Sequence, residues 1–529
     1  MRFLLVLLTC VGTLNALHAQ YTTEFRTGTS DIVFNAVQVM GTDILVAGND
    51  DNKVLFVRYD IAGNVIDSRT ITVVDETILP YVCSMIVDSD GKIVFAGHRK
   101  TATEDETTAF IGKYDYTTNT VSWIKVLENP GSSFYKVIEK KAGSTYIVAG
   151  QTLDPVNNEE AVLFSVNRNT GNLTKLNNYN ETTGGDTYYS IVRAGNSYFT
   201  SGRFTYAPGG SSRMRGCLSK FNNAGAEVFT KAYLRNLTTE NGRMHAVDLA
   251  YANNELYMTI HGDETGVVLN EDLFIVNAET DGELNWANQY DFTNYDKSGS
   301  FRSIKVKGSS VYAMGNLYNL GTGYLFLLKL DTVGNIIWSY SYSSLGNKSN
   351  SPDAMLLYGS NIFMTGYVHD AGTVYTNGTL LMVKTATGTL PDDCSTSEPL
   401  IVTPKTTTAY ANALTSVAHT YTVSTGASAL GEPDAFTSAF TCALGLRESV
   451  QNNTLSLQPN PTNGLTQLQL DARSYTIQIF NMSGQCIYTQ QTSERTLAID
   501  ASAFNSGLYL IHCTDKDSGK VQYVQLVKQ

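Results

Sequence analysis

A set of aromatic, basic and acidic residues recurs after similar apolar strands and could bind a polar ligand. The strands end in a small-residue step, as in "KIVFAGH" (residues 92–98) and "SYFTSGR" (residues 197–203). Aromatic rings and amides on a rigid scaffold suit a glycan or a peptide, and a guanidinium can hold a carboxylate by two hydrogen bonds. The candidate ligand-binding residues are His98, Arg99, Arg203, His261, Asp263, Tyr318 and Tyr367.

No sequence motif assigns a reaction to these residues. The chain lacks the HExxH, phosphate-loop, GxSxG and CxxC patterns. The turn at residues 88–91, "DSDG", resembles the start of a calcium loop without its later ligands, and a hairpin turn accounts for it. His98 and His261 occupy matching positions three repeats apart, without a carboxylate partner fixed in sequence. We therefore predict no catalytic residue, no metal ion and no cofactor.

The strands that position these residues are seven copies of one pattern. Successive copies are 49 to 58 residues apart. Each copy holds an apolar strand, a tight turn, the marked strand, a variable loop, a third strand, a second tight turn and a fourth strand. Four antiparallel strands at this period are typical of a β-propeller blade. The positions that mark the register are Gly48, Gly97, Gly150, Gly202, Ile260, Gly315 and Gly366.

The seventh copy lacks a fourth strand, and the N-terminus offers one. Its third strand, "GTLLMVKTA" (residues 378–386), runs directly into "TGTLPDDC". Residues 20–26, "QYTTEFR", resemble the fourth strands and precede the first copy. Because an open ring would expose a strand edge, we predict that residues 20–26 complete the seventh blade. The alternative is an untethered N-terminal tail.

The loops between repeats, and those between the second and third strands, are mostly long. Examples are residues 98–108 and 203–215, whereas the other connections are short turns. In a propeller both long classes emerge on one face, where binding residues are usually placed. Carboxylates in these loops leave a glycosidase open as an alternative, because such an enzyme needs two of them at a defined separation.

Composition and the first residues indicate export. The chain has 529 residues and a formal net charge of -12, with no basic run that would bind a nucleic acid. Residues 1–19 have a basic start, an apolar stretch and a small-residue exit, which predicts a secretory signal peptide cut before Gln20. Cys10 leaves a lipid anchor open as an alternative. No later segment has the roughly twenty apolar residues that would span a bilayer.

Six cysteines follow the signal peptide. Cys394 and Cys442 bracket a Thr- and Ser-rich segment and form the candidate disulfide, since export permits such bonds. Cys83 and Cys217 lie in apolar strands and are expected to be buried thiols.

The last residues have a different pattern from the repeats. From residue 455 onwards short strands of alternating polarity are separated by turns, which predicts a small antiparallel Ig-like β-sandwich. The ordered segments "PNPTNG", "IFNMSGQ", "LAIDASAFNSGLYLI" and "QLVKQ" resemble the type A C-terminal sorting domain of the Bacteroidetes type IX secretion system. That resemblance implies recognition by the outer-membrane translocon and its sorting peptidase. The residues that carry it include Pro459, Asn460, Pro461, Gly464, Gly484, Gly507, Tyr509 and Lys528.

The sequence thus predicts an all-β chain, a seven-bladed β-propeller followed by a small sandwich. The expected parts are a signal peptide (1–19), the propeller (20–392), a connecting segment (393–453) and the sorting domain (454–529). We expect a secreted or cell-surface binding protein whose propeller engages a glycan or protein ligand. The alternatives are a secreted carbohydrate- or peptide-active hydrolase and a structural surface component.

Overall fold

The computed structural model describes most of the chain and divides it into two compact units, 1–443 and 444–529. The residues that it describes are 21–26, 30–73, 78–101, 107–139, 144–154, 158–179, 185–206, 213–234, 243–263, 271–292, 296–319, 322–343, 349–369, 376–388, 396–399, 402–406, 410–413, 423–425, 428–431, 437–440, 456–470, 474–481, 486–516 and 521–529. Every helix or strand element in these ranges is a β-strand, so the chain is all-β, as the sequence predicts. The predicted signal peptide and both Cys394 and Cys442 lie outside them.

The first unit consists of β1 (Tyr21–Arg26) and repeated groups of strands. Sheet 1 contains β2 (Ile32–Met40), β3 (Asp43–Asp50), β4 (Lys53–Tyr59) and β5 (Val65–Val73). Sheet 2 contains β6 (Ile78–Val87), β7 (Ile93–Thr101), β8 (Thr108–Asp115) and β9 (Thr120–Leu127). Sheet 3 contains β10 (Ser133–Glu139), β11 (Thr145–Leu153), β12 (Glu159–Asn167) and β13 (Leu173–Tyr179).

The following strands repeat this order. Sheet 4 contains β14 (Thr187–Ala194), β15 (Ser197–Tyr206), β16 (Arg213–Asn222) and β17 (Glu227–Leu234). Sheet 5 contains β18 (Arg243–Ala252), β19 (Glu255–Asp263), β20 (Glu271–Glu279) and β21 (Leu284–Phe292). Sheet 6 contains β22 (Asp296–Lys307), β23 (Ser310–Asn319), β24 (Thr322–Asp331) and β25 (Ile336–Ser343). Sheet 7 contains β26 (Ser349–Tyr358), β27 (Asn361–His369), β28 (Thr376–Lys384) and β1.

These sheets follow one another around a closed circuit. The first strand of each sheet contacts the first strand of the next, and β26 contacts β2. The N-terminal strand forms as predicted: β1 pairs antiparallel with β28, with Thr23 opposite Leu380 and Phe25 opposite Gly378. The arrangement among the described residues is propeller-like, and its first and last repeats meet in sheet 7.

Residues 396–440 add a short fifth strand to most of the sheets, and we call this stretch the outer segment. Its strands pair with the outermost strands of sheets 6, 5, 4, 2, 1 and 7, in that order along the chain. In sheet 7 the fifth strand pairs with β1, which therefore lies between two antiparallel partners. The strands are β29 (Thr396–Pro399), β30 (Val402–Thr406), β31 (Tyr410–Ala413), β32 (Val423–Thr425), β33 (Ser428–Gly431) and β34 (Thr437–Phe440).

The core lies between neighbouring sheets. A strand in the middle of a sheet is covered on both faces, so it reads as a continuous apolar run, as in β3 and β7. Between sheets 1 and 2, for example, the rings of Phe56 and Phe95 pack edge to face with centroids 5.4 Å apart.

Side chains from one sheet also bond to a turn of the next sheet. The Tyr233 hydroxyl of sheet 4 donates to the Gly282 carbonyl of sheet 5 at 3.0 Å, and Tyr290 of sheet 5 donates to Gly334 of sheet 6 at 3.0 Å. Gly282 and Gly334 adopt φ values of 82° and 90°, which glycine tolerates best. The same hydrogen bond thus recurs at equivalent positions between successive sheets.

The second unit contains two antiparallel sheets around its own apolar core. One sheet orders β35 (Ser456–Gln458), β36 (Leu465–Gln469) and β39 (Thr496–Asp500). The other orders β38 (Cys486–Thr492), β37 (Tyr475–Asn481), β40 (Gly507–Asp515) and β41 (Val521–Lys528). Alternate residues point inwards, and the core includes Leu468, Ile477, Ile499, Ile511 and Leu526.

Candidate functional site

The innermost strand of every sheet in the first unit is interrupted at the same place. One residue of that strand has no partner in the neighbouring strand, which is the geometry of a β-bulge. The bulge lies opposite the register mark of each repeat. The seven bulge residues are Asn35, Cys83, Tyr135, Tyr189, Val247, Arg302 and Asp353.

The bulge explains why six of the seven register marks are glycine. A Cβ atom on Gly97 would lie 1.9 Å from the Tyr81 carbonyl oxygen, and the other five glycines have equivalent contacts of 1.7 to 2.1 Å. In sheet 5 the register mark is Ile260, and the equivalent glycine is Gly262, where an added Cβ atom would lie 1.9 Å from the Arg243 carbonyl oxygen. The repeated glycine therefore lets the inner strand bend close to its neighbour.

All seven bulge residues line one cavity of about 760 Å³, which we call the central cavity. It is lined by the innermost strands of all seven sheets, so it lies where these strands converge. Its volume falls within the range of ordinary small-molecule sites, roughly 300–1,000 Å³. The structure thus concentrates one side chain from each repeat around a space that a ligand could occupy.

One group of cavity residues comes from sheets 1, 2 and 7. The Asn35 amide nitrogen donates to the Tyr81 hydroxyl at 2.7 Å and to Asp353 Oδ2 at 3.2 Å. The rings of Tyr81 and His98 stack with centroids 5.1 Å apart, and His98 Nδ1 lies 3.6 Å from Cys83 Sγ. Burial, and secondarily the charge of Lys100, lowers the pKa of His98 to about 4, so this imidazole is neutral at pH 7.

A second group runs across sheets 3, 4 and 5. The rings of Tyr135 and Tyr189 pack edge to face at 5.3 Å, and the Tyr189 hydroxyl lies 3.4 Å from His245 Nδ1. His245 stacks on His261 at 5.7 Å. Burial, with smaller contributions from His245 and Arg302, lowers the pKa of His261 to about 3. The two histidines therefore present neutral aromatic faces to the cavity.

Asp248 is the centre of a buried ionic cluster in the cavity lining. It accepts hydrogen bonds from the Ser190 and Ser303 hydroxyls and from the Ile304 backbone N–H, at 2.8 to 3.0 Å. Lys305 Nζ lies 3.2 Å and Lys136 Nζ 3.8 Å from its oxygens. Burial alone would raise the pKa of Asp248, but the two lysines and these hydrogen bonds outweigh it and hold the pKa well below its usual range.

The two arginines expected to bind a carboxylate are already engaged. Arg99 Nη2 lies 3.5 Å from Glu128 Oε1, and Arg99 Nε donates to the Thr108 hydroxyl at 3.0 Å. Arg203 forms an ion pair with Glu159. Neither arginine lines the central cavity.

The other candidate residues fall into two groups. His98 and His261 line the cavity, in the two separate aromatic groups described above. Tyr367 is half-buried and close enough to Tyr81 to influence it electrostatically, and Tyr318 is 36% exposed. Asp263 ends β19 and pairs through its backbone with Arg243. The site residues remain predictions, and the structure brings only the two histidines to the cavity.

The bulge residues are not among the predicted site residues, because the register marks lie on the second strand of each repeat and the bulges lie on the first. Aligning the first strands gives "FNAV", "VCSM", "FYKV", "YYSI", "AVDL", "FRSI" and "PDAM", with the bulge residue second in each. Six different residue types in one column of seven repeats, within otherwise similar first strands, are the signal that the sequence offers. Within the described ranges, no cluster of three or more His, Cys, Asp or Glu could hold a metal ion.

In the second unit the segment "PNPTNG" lies along the last strand. The Asn460 amide accepts from the Val527 N–H at 2.8 Å and donates to the Gln525 carbonyl at 2.6 Å. Thr462 forms a bridge with Lys528, which is also opposite Gly507. The motifs that contain Thr462, Gly507 and Lys528 therefore meet at β41. Gly484 lies outside the described residues. Other motif residues of this unit are Pro459, Pro461 and Gly464 beside this bridge, and Tyr509, whose hydroxyl donates to the Asn505 carbonyl at 2.8 Å.

Three comparisons relate the chain to known proteins. The ulvan lyase NLR42 of Nonlabens ulvanivorans is 35% identical over 82 residues, which are 15% of this chain and 15% of that enzyme. The polysaccharide lyase Uly1 shares 9% identity with a TM-score of 0.36, over 66% of this chain and 90% of that one. The periplasmic gluconolactonase PpgL of Pseudomonas aeruginosa shares 12% identity with a TM-score of 0.39, over 71% of this chain and 99% of that one.

The C-terminal unit gives the clearest match. The structure places no long apolar helix, of the kind that crosses a membrane, in the residues it describes. Residues 456–528 match the family described as Secretion system C-terminal sorting domain. The chain is therefore a type IX secretion cargo, exported to the cell surface or the extracellular space, and its last unit interacts with the secretion system.

Proposed function

We propose that the chain is an exported binding protein whose first unit takes a glycan in the central cavity. The observation that carries this proposal is the convergence of seven bulge residues, one from each sheet, on a cavity of about 760 Å³. Rings of tyrosine and histidine provide flat faces for the apolar side of a sugar ring, with polar edges beside them. A protein ligand would have to insert one or two side chains into the same space.

Unpaired polar atoms support a ligand rich in hydroxyl groups. Asn35 and His261 line the cavity, and their buried Oδ1 and Nδ1 atoms have no hydrogen-bond partner among the described residues. Buried polar groups are normally paired, because each unpaired one costs about 1–3 kcal/mol. Sugar hydroxyls both donate and accept, so they could pair with either atom.

The proposal includes the finer architecture derived from the sequence. We take the first unit as a seven-bladed propeller (20–392), preceded by a signal peptide (1–19) and followed by a connecting segment (393–453). We take residues 454–529 as an Ig-like sandwich that the translocon and its sorting peptidase recognise. The cargo would then display its cavity outside the cell, either released or attached to the surface.

Calorimetric titration with a panel of neutral and acidic oligosaccharides tests the proposal. Tyr135→Ala and Tyr189→Ala should each weaken binding of the preferred glycan by about tenfold or more, because a buried aromatic contact is lost. Tyr318→Ala is the matched control, since Tyr318 does not line the cavity. Equal affinities for all four proteins, or no binding to any glycan, would contradict a glycan site in the cavity.

The alternative is a secreted hydrolase, and one observation favours it. Asp353 and Asp248 line the same cavity, and burial raises the pKa of Asp353 to about 6 whereas that of Asp248 is held low. Two carboxyl groups with separated pKa values can act as acid and base. Release of reducing ends from a polysaccharide, abolished by Asp353→Asn, would establish hydrolysis; binding without turnover would exclude it for that substrate.

A further inference from the structure

The central cavity is positively charged in a chain that is negatively charged overall. Its described lining residues include four basic side chains and two carboxylates. The whole chain carries a formal net charge of -12. A cavity of one sign inside a protein of the other sign concentrates counter-ions and selects ligands by charge. The basic residues are Lys136, Arg193, Arg302 and Lys305, and the acidic ones are Asp248 and Asp353.

Among the described residues, Arg302 differs from the two lysines of the cavity in forming no hydrogen bond or ion pair, and it differs from Arg193 in being a bulge residue. Lys136 and Lys305 both lie within 4 Å of Asp248, so their charges are used within the ionic cluster. The Arg302 side chain forms neither a hydrogen bond nor an ion pair within the described part of the chain, and it is exposed to the cavity. A guanidinium that is not bound to the protein can form two parallel hydrogen bonds with a carboxylate.

Arg302 also lies between the two aromatic groups. Its charge acts on Tyr81 of sheet 2, on His261 of sheet 5 and on Asp353 of sheet 7. A ligand held by Arg302 would therefore be close to the stacked pair Tyr81–His98 and to the stacked pair His245–His261. This position is the one at which a charged substituent and the face of a sugar ring could be bound together.

We propose that the glycan carries a carboxylate and that Arg302 binds it, so that the cavity selects uronic-acid sugars over neutral ones. This inference rests on the proposed glycan-binding function. Asn35 Oδ1 and His261 Nδ1 would accept hydrogen bonds from ring hydroxyls of the same ligand, because both are unpaired and line the cavity. Arg302 would then be the specificity-determining residue, whereas Arg99 and Arg203 stabilise the surrounding structure through Glu128 and Glu159.

The test compares two ligands with the same sugar backbone, one with charged carboxylates and one with neutral methyl esters. Titration of the full chain with trigalacturonic acid and with its methyl ester should give an affinity for the acid that is about tenfold or more higher. Arg302→Gln removes the charge and keeps a hydrogen-bonding side chain, and it should abolish this preference. Because Arg302 forms no hydrogen bond or ion pair among the described residues and acts on Asp353 only through its charge, the thermal unfolding temperature of this variant should stay close to that of the wild type.

The matched control is Arg58→Gln, since Arg58 is paired with Asp67 away from the cavity. This variant should keep the preference for the acid. Equal affinity of the wild type for acid and ester, with tight binding to both, would overturn the carboxylate inference and leave the proposed function intact. A preference for the acid that survives in Arg302→Gln would overturn the role of Arg302. Failure of both ligands and of every neutral glycan to bind would overturn the proposed function itself.

Discussion

The inner and outer edges of the seven sheets differ in how their edge strands are arranged. Both edges would leave backbone N–H and C=O groups unpaired, which is a liability for any sheet. At the outer edge the outer segment (396–440) pairs with six of the sheets. At the inner edge the strand is bulged instead, and its side chains line a cavity. The outer edge is therefore closed by further strand pairing, whereas the inner edge surrounds the cavity in which we propose that a ligand binds.

This difference explains where stability and function are located. The outer strands are held by regular pairing, so the sequence of the outer segment can be short, polar and rich in Thr and Ser. Each inner strand ends its sheet at the cavity, and none of them pairs with a further strand among the described residues. They place unlike side chains, from Asn35 to Asp353, at equivalent positions of seven repeats. Side chains that differ between equivalent positions of the repeats can give a binding site its chemistry while the framework stays the same.

The largest effect is expected from breaking the closure at sheet 7. Phe25 of β1 is fully buried and packs against Phe34 with ring centroids 5.8 Å apart. Phe25→Ala should lower the free energy of unfolding by about 3–5 kcal/mol, because it leaves a cavity where the first and last repeats meet. Urea unfolding of the full chain measures this change.

Val228→Ala is the control for that experiment, since Val228 is 56% exposed and lies on β17. Its effect should stay within about 0.5 kcal/mol. If Phe25→Ala proved as harmless as Val228→Ala, the N-terminal strand would not contribute to the stability of the ring.

A similar loss is expected from removing the buried charge at the inner edge. Asp248→Ala leaves Lys136 and Lys305 without their carboxylate, which should cost about 3–5 kcal/mol at pH 7. Because the folded-state pKa of Asp248 is lowered, its contribution is present above the unfolded-state pKa of 3.8 and is lost as the pH falls below it. Thermal unfolding at pH 7 and at pH 3 should therefore show a smaller difference between variant and wild type at pH 3.

An exposed ion pair provides the comparison. Lys231 Nζ lies 2.8 Å from Glu283 Oε1, but the Glu283 side chain is 75% exposed. Glu283→Gln should change stability by no more than about 1 kcal/mol at either pH. A loss in Glu283→Gln as large as that in Asp248→Ala would mean that the inner ionic cluster has no special role.

The framework can be inferred from the sequence more directly than the site, for a physical reason. The close approach at the bulge and the four-strand order recur in every sheet. The register glycines and the fourth-strand pattern of residues 20–26 can therefore be recognised from the sequence. The site depends on contacts between distant residues. Arg99 and Arg203 looked suitable for a ligand, but Glu128 and Glu159, 29 and 44 residues away, engage them. Arg302 could be recognised only when the structure showed which basic residues lack partners.

The bulge also breaks the simple alternation by which successive side chains of the first strand point to opposite faces of the sheet. Tyr188 and Ile191 are three residues apart, yet both pack into the core between sheets 3 and 4, whereas Ser190 faces the other way and donates to Asp248 of sheet 5. An extra residue in one strand reverses the side-chain alternation beyond it. Reading the first strands with period two therefore assigns the wrong face to half of each strand.

The smallest expected effect is a pH dependence caused by Asp353 at the inner edge. Burial raises the pKa of Asp353 to about 6, against the lowering effects of Arg302 and of the hydrogen bond from Asn35. The neighbours Tyr81 and Cys83 do not titrate near neutrality, because burial raises the pKa of Cys83 to about 12 and that of Tyr81 well above 10. Asp353 is thus the group of this set that changes charge between pH 5 and pH 7.5.

A raised folded-state pKa means that the contribution of Asp353 is favourable below the unfolded-state value and is lost as the pH rises through about 6. Asp353→Asn removes this dependence, so relative to the wild type it should be more stable at pH 7.5 than at pH 5, by on the order of 1 kcal/mol. Urea unfolding at both pH values measures the difference, with Glu283→Gln as the control that should follow the wild type. Such a result would show that the inner edge retains a carboxyl group at the expense of stability. That cost is expected of a binding site and is not expected at the outer edge. Parallel pH profiles for Asp353→Asn and the wild type would contradict this distinction between the two edges.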